Sequence, residues 1–123
     1  MVSIKITGIN TTRAFLSSMS TKIQSKADSA IKESGFFIEG ETKQSIAGNR
    51  AEHKSVDTGR FLNSVKNAHP QPLTAVVDSN VSYAKFLEYG TSRFEGRRHF
   101  GNTAKRNENK VKDFVMKKIK EAV

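Results

Sequence analysis

The triplet Asp57-Thr58-Gly59 is the segment whose residue types could most readily do chemistry. In aspartic proteases, paired aspartates from such triplets share a proton and activate a water molecule. That chemistry needs the aspartate on a loop held by apolar strands, whereas polar residues flank this triplet and helical patterns occupy much of the chain. We therefore interpret the triplet as a turn, in which Asp57 accepts backbone N–H bonds, Gly59 adopts a positive φ and Arg60 begins a strand.

The other residues suited to chemistry do not form a recognisable site. His53, His69 and His99 are far apart in the sequence and lack the helical spacing of metal ligands, so we expect exposed loop histidines and no metal or other cofactor. The run Gly96-Arg97-Arg98 could contact phosphate, but an isolated arginine pair in a loop is more typical of a surface or an interface. The sequence therefore predicts a protein that is not an enzyme.

The composition indicates one basic domain over residues 1–123. Lys and Arg number 21 against 12 acidic residues, which gives a net charge of +9, and there are no cysteines. Such a charge favours contact with phosphate or with an acidic protein surface. Lysines predominate and are spread through both ends of the chain, so contact with nucleic acid would involve the phosphate backbone rather than base sequence. No apolar run approaches the roughly 20 residues of a membrane span, and we expect no membrane association.

Apolar periodicity predicts a strand and a long helix in the first half of the chain. Residues 2–6 alternate between apolar and polar types, which is typical of a half-buried strand at or near a sheet edge. Apolar residues then recur at intervals of three and four from about 12 to 46, which indicates an amphipathic helix roughly 50 Å long. Gly35 and Gly40 lie within it and could allow a kink.

A polar loop and a hairpin are predicted next. Residues 47–58 have no period and read as a loop. Residues 61–68 and 73–78 resemble strands, and the segment 69–72 between them contains two prolines, which cannot both fit a central strand. The simplest interpretation is an antiparallel hairpin joined by this segment.

The remaining segments predict two helices separated by a basic loop. Tyr83, Phe86 and Leu87 would share one face of a short helix that Gly90 terminates. Residues 92–101 form the loop, and the final helix begins at about Asn102. Its narrow apolar stripe consists of Val111, Phe114, Val115 and Ile119.

Two motifs in this order resemble a known family. They are Asp57-Thr58-Gly59-Arg60-Phe61-Leu62-Asn63-Ser64-Val65 and Tyr83-Ala84-Lys85-Phe86-Leu87-Glu88-Tyr89-Gly90-Thr91. With the loop and final helix that follow, they are similar to the small tail-completion or head-tail joining proteins of long-tailed bacteriophages. Phe61 stands where that family usually has Leu. His99-Phe100 stands where the family commonly has Pro-Phe. Without the proline, the second loop lacks one source of the rigidity that the family pattern implies.

The resemblance implies a fold and a structural role. It implies an α+β subunit whose small antiparallel sheet is packed by the long N-terminal helix and the C-terminal helix, with two extended loops. Such subunits would assemble in the host cytoplasm as a ring, preferably a hexamer, at the neck of the virion. In this interpretation Arg60 pairs with Glu88 across two adjacent corners. The residues expected to act as architecture are Asp57, Thr58, Gly59, Arg60, Tyr83, Ala84, Glu88, Tyr89, Gly90 and Thr91.

The two loops, residues 47–57 and 92–100, are the candidates for docking. Their partners would be head connector or stopper proteins, the tail terminator or tail tube protein, or a neighbouring copy, and some cations could contact double-stranded DNA. The partner-facing candidates are Arg50, Lys54, Arg93, Arg97, Arg98 and His99. Two alternatives stay open at this point, namely a tail terminator and a free-standing basic module that binds nucleic acid without sequence preference.

Overall fold

The computed structural model describes residues 2–7, 21–55 and 59–121 of the chain. Within these ranges, the strands are β1 (Val2–Thr7), β2 (Lys66–Ala68), β3 (Thr74–Ser79), β4 (Gly90–Thr91) and β5 (Phe94–Glu95). The helices are α1 (Thr21–Ile46), α2 (Arg60–Ser64), α3 (Ala84–Tyr89) and α4 (His99–Glu121). The chain is thus an α+β protein, with a small antiparallel sheet, a long N-terminal helix and a C-terminal helix.

The main sheet has the strand order β1-β3-β2, and both pairings are antiparallel. Val77 of the central strand β3 lies opposite Ile4 of β1 and Asn67 of β2. β1 is an edge strand, as its alternating pattern predicts, and β2 with β3 forms the predicted hairpin. A separate two-stranded ribbon is formed by β4 and β5.

The long helix α1 lies on this sheet and ends in a defined cap. Gly35 makes the close approach possible, because a Cβ added there would lie 3.1 Å from Cβ of Ala75 in β3. The helix ends in a Schellman motif at Gly48, which has a φ of 87°. In that motif, Asn49 N–H donates to the carbonyl of Gln44 and Gly48 N–H donates to the carbonyl of Ser45. The predicted helical segment 12–20 lies outside the described residues.

The final helix α4 packs along α1. The predicted apolar stripe faces inward, since Ile119 is buried and Val111, Phe114 and Val115 are half-buried. Phe37 of α1 and Phe114 of α4 line a shallow apolar groove between the two helices. No helix within the described ranges has the length and hydropathy to cross a membrane.

Two sequence-based boundaries are wrong. The segment after Gly59 begins with the helix α2 rather than a strand, because Phe61, Leu62 and Val65 have helical spacing and Phe61 and Val65 are buried. The predicted loop 92–101 contains strand β5, and α4 already begins at His99.

Gly40 provides a test of the α1 assignment. It lies in the helix interior, and a Cβ added there would meet nothing within 4 Å. Replacing Gly40 by Ala should therefore raise the free energy of unfolding by about 0.5–1 kcal/mol, because alanine loses less backbone entropy in a helix. Urea denaturation measures the change. Gly35→Ala is the matched control and should not stabilise, since its Cβ crowds Ala75; a destabilising Gly40→Ala would contradict the helix assignment.

Candidate functional site

The second sequence motif folds into the short helix α3 and the turn that ends it. Ala84 and Glu88 lie on the inner face and are buried. Gly90 ends the helix with a φ of 85°, and its N–H donates to the carbonyl of Phe86. Of the three residues predicted to share one face of this helix, Leu87 is half-buried, whereas Tyr83 and Phe86 are exposed.

Glu88 caps the N-terminus of α4. Its side chain is buried, and its two carboxylate oxygens accept hydrogen bonds from the backbone N–H groups of Phe100 and Gly101, each at 2.8 Å. The first amides of a helix have no partner within the helix, and a negative charge there is favourable. Arg98 precedes the helix and its side chain carries no acceptor. Glu88 therefore supplies the cap that the local sequence lacks.

Two glycines let the backbone cross itself beside this cap. A Cβ on Gly90 would collide with the backbone of Gly96, and a Cβ on Gly96 would collide with the carbonyl of Glu88. The crossing is closed by hydrogen bonds from Arg97 N–H to the carbonyl of Leu87 at 2.7 Å and from Arg98 N–H to the carbonyl of Glu88 at 3.2 Å. The β4–β5 ribbon is thereby fixed against α3.

The outer face of the same motif is aromatic. We call Tyr83, Phe86, Tyr89 and Phe94 the aromatic surface; their side chains are 37%, 46%, 62% and 40% exposed. Cations accompany them: Lys85 Nζ lies 5.2 Å from the ring centroid of Phe86, and the guanidinium of Arg98 lies 6.0 Å from that of Tyr89. One motif therefore has an inner face that organises the fold and an outer face that is apolar, cationic and exposed.

A chain of polar side chains joins the start of α4 to the end of α1 and to the loop after it. His99 is fully buried, with Nδ1 2.8 Å from Ser45 Oγ and Nε2 2.7 Å from Ser55 Oγ. Ser45 Oγ in turn donates to the carboxylate of Glu52. Asn102 and Arg106 of α4 donate to the same carboxylate at 3.1 to 3.2 Å.

The donors and acceptors of this chain fix the histidine tautomer. The ionised carboxylate of Glu52 can only accept, so the Ser45 hydroxyl donates its hydrogen to Glu52. Ser45 Oγ must then accept a hydrogen bond from His99 Nδ1–H. Nε2 then accepts from Ser55, whose oxygen accepts from Arg97 Nη1 at 2.7 Å. A neutral His99 with its proton on Nδ1 satisfies every member of this chain.

The environment shifts two pKa values in directions that agree with this arrangement. Burial lowers the pKa of His99 to about 4, against the opposing influence of the Glu52 charge. Burial alone would raise the pKa of Glu52, but hydrogen bonds from Arg106, Ser45 and Asn102 outweigh it and hold the pKa at about 2. At neutral pH the chain therefore joins a neutral imidazole to an ionised carboxylate.

The predicted architectural residues differ in how far the structure describes them and in whether their predicted conformation is found. Asp57 and Thr58 lie outside the described residues. Gly59 has the predicted positive φ, at 82°, but Arg60 begins helix α2 rather than a strand. Both oxygens of Glu88 have backbone partners on α4, and its pairing with Arg60 stays a prediction.

The predicted partner-facing residues divide into exposed and internal ones. Lys54 and Arg93 are exposed, and Arg50 forms an ion pair with Glu41 at 2.7 Å. Arg97 is half-buried and donates to the carbonyl of Lys54 and to Ser55 Oγ. The prediction of His99 as an exposed loop residue is wrong, because α4 begins there and buries the ring.

Sequence reasoning missed the partners of His99. Ser45 lies next to Ile46 on the apolar face predicted for α1, which was a usable signal, whereas Glu52 lies in a polar stretch that gives none. Ser55 and Arg106 are equally unremarkable in the sequence. In the described ranges, no group of three or more His, Asp or Glu side chains is placed to hold a metal ion.

The fold and motif define an α+β protein with an internal scaffold and an exposed aromatic surface. Residues 10–90 match the model of the family described as "Bacteriophage HK97-gp10, putative tail-component". The chain belongs to this family of bacteriophage tail components, and a tail component is part of the virion. Searches of curated proteins and of solved structures gave no significant match.

Replacing Glu88 by Gln tests the cap. Glutamine keeps the shape but turns an NH₂ donor toward one of the two helix amides, so that amide loses its acceptor. We expect the free energy of unfolding to fall by about 1–3 kcal/mol in denaturant titrations. Glu95→Gln, a control at an exposed position of the ribbon, should change it by less than about 0.5 kcal/mol. Equal effects of the two substitutions would contradict the capping role.

The buried polar chain predicts acid sensitivity. Because the pKa of His99 is lower in the folded state, the unfolded state binds more protons below about pH 6.5, and stability falls as the pH drops from there toward 4. Loss of the Glu52 contribution follows between about 4.5 and 2. The lowered pKa of His99 should reduce the free energy of unfolding by about 3 kcal/mol between about pH 6.5 and 4.

Unfolding free energies measured between these pH values check the acid sensitivity. His53→Gln, at an exposed histidine, should keep the wild-type pH profile, whereas His99→Gln should flatten it above pH 4. Should His99→Gln not fold, an NMR titration of the wild-type ring replaces it. A ring that titrates near its ordinary pKa of about 6.5 would show that the chain is not buried as described.

Proposed function

We propose that this protein is a structural component of the phage neck that completes the tail and joins it to the DNA-filled head. In this proposal it acts within a ring, preferably a hexamer, whose channel lets DNA pass, and the role is not enzymatic. The observation that carries the proposal is the two-faced motif: the inner face caps α4, while the outer face presents the aromatic surface.

The composition of the aromatic surface favours docking to protein. Aromatic residues and arginine are enriched at protein interfaces and dominate their energetic hot spots. Tyr89 and Phe94 lie together with Arg93 and Arg98 around one shallow groove. Two tyrosines and two phenylalanines exposed on α3 and its ribbon form a site whose burial by a partner would be favourable.

The partners proposed for this surface are other virion proteins. They include a neighbouring copy in the ring, the head connector or stopper proteins, and the tail terminator or tube protein. A ring needs two different patches that meet between successive subunits. The rigid placement of the ribbon against α3 supports such docking, because a surface fixed before binding loses little entropy on association.

Particles assembled without this protein test the joining role. We expect filled heads and finished tails that do not join, visible by electron microscopy. Tails of irregular length would instead favour the tail-terminator alternative. Joined, infectious particles would refute both neck roles.

A double substitution tests whether the aromatic surface is the docking site. The variant Tyr89→Ser with Phe94→Ser should still fold, because both side chains are exposed in the free protein. It should fail to join heads to tails, because the docking surface has lost two aromatic rings. Phe36→Ser is the matched control, since Phe36 is 62% exposed on α1, away from the motif. Infectivity should fall at least tenfold for the double variant only, and normal infectivity would remove the aromatic surface from the proposal.

A further inference from the structure

The outward side of α4 carries a row of lysines. We call Lys105, Lys112, Lys117 and Lys120 the lysine stripe; all four side chains are exposed. At a rise of about 1.5 Å per residue, the stripe is about 22 Å long. The apolar positions of the helix face α1 instead, so the stripe lies on the side of α4 that this fold leaves free.

The lysine stripe is not neutralised within the described ranges, where none of its four lysines forms an ion pair. Other cations there do so: Lys32 with Asp28, Lys43 with Glu39, and Arg106 with Glu52. Lys118, next to the stripe, pairs with Glu121 at 3.8 Å. Asp113 and Glu121 line the same shallow surface as Lys117 and Lys120. Glu108 lies three residues after Lys105 and four before Lys112. The positive charge is therefore reduced locally, but α4 as a whole has seven Lys or Arg against these three acidic residues.

Composition separates this surface from the aromatic surface. Protein interfaces are enriched in aromatic residues and arginine and depleted in lysine. The aromatic surface has the first composition, whereas the only large hydrophobic side chain exposed within the stripe is Met116. Lysine binds phosphate as a point charge without fixed geometry. The stripe therefore suits a phosphate polymer better than a protein.

We propose that the lysine stripe contacts the phosphate backbone of the double-stranded DNA that passes the neck. This inference rests on the proposed function, since it places the α4 surface toward the channel. Duplex DNA carries one charge per 1.7 Å or so, hence about 13 charges along the length of the stripe. Contacts by flexible lysine tips carry no base sequence information and let DNA slide. Weak, unselective contact of this kind is compatible with the passage of DNA.

Salt-dependent binding of a short random-sequence duplex by the purified protein tests the inference. Fluorescence anisotropy between about 50 and 200 mM salt gives the slope of log K against log salt, to which each neutralised phosphate contributes about −0.9. In the variant K105Q/K112Q/K117Q/K120Q, the slope should become less negative by about 3 to 4. This variant should also bind the duplex at least tenfold more weakly at the lower salt concentration. Its circular dichroism should be unchanged.

A matched control separates the stripe from net charge. The variant K5Q/K22Q/K26Q/K66Q removes four exposed lysines elsewhere, and its slope should become less negative by about 1 at most. Equal losses in both variants would overturn the inference. So would absence of duplex binding by the wild type, or a stripe that binds polyglutamate but not DNA. Each of these three outcomes leaves the joining role intact, because that role is tested by particle assembly with the aromatic-surface variant.

Discussion

The carboxylate of Glu88 on the first amides of α4 is the contact that connects the parts of this molecule. It joins the short helix α3, which carries the aromatic surface, to the N-terminus of the helix that packs along α1. Gly90 and Gly96 are required next to it, since a side chain at either position would separate the crossing backbones. Without the cap, α4 would begin with unpaired amides next to a buried phenylalanine, Phe100.

A second set of polar contacts extends this arrangement into the loop after α1. Glu52 and Ser55 lie in that loop. Ser45 on α1 donates directly to Glu52, and His99 connects Ser45 to Ser55 through its two ring nitrogens. Buried polar groups are costly when partners are missing, but here donors and acceptors alternate from Arg97 through to Glu52. The loop that the sequence leaves without a pattern is consequently tied to both long helices.

Local periodicity was enough to predict the strand at residues 2–6, the helix that ends at Ile46 and the apolar stripe of α4, because each depends on neighbouring residues facing one side. Phe61 to Val65 resembled a strand in residue type, yet its spacing is helical. Glu88 and His99 could not be placed from the sequence, because their partners are set by the tertiary fold. Ser45 and His99, for example, are 54 residues apart. The family resemblance predicted Glu88 and Gly90 as architecture. In the structure, Glu88 accepts from two amides of α4, and Gly90 ends α3 with a positive φ.

Amide hydrogen exchange on the free subunit tests most directly whether the inner face of the motif holds α4. The backbone N–H groups of Phe100 and Gly101 have no helical partner and depend on Glu88 for protection. The account predicts that both exchange as slowly as the central strand amides of β3. Exchange as fast as that of exposed loop amides would show that Glu88 does not hold the helix and that the aromatic surface is not built on it.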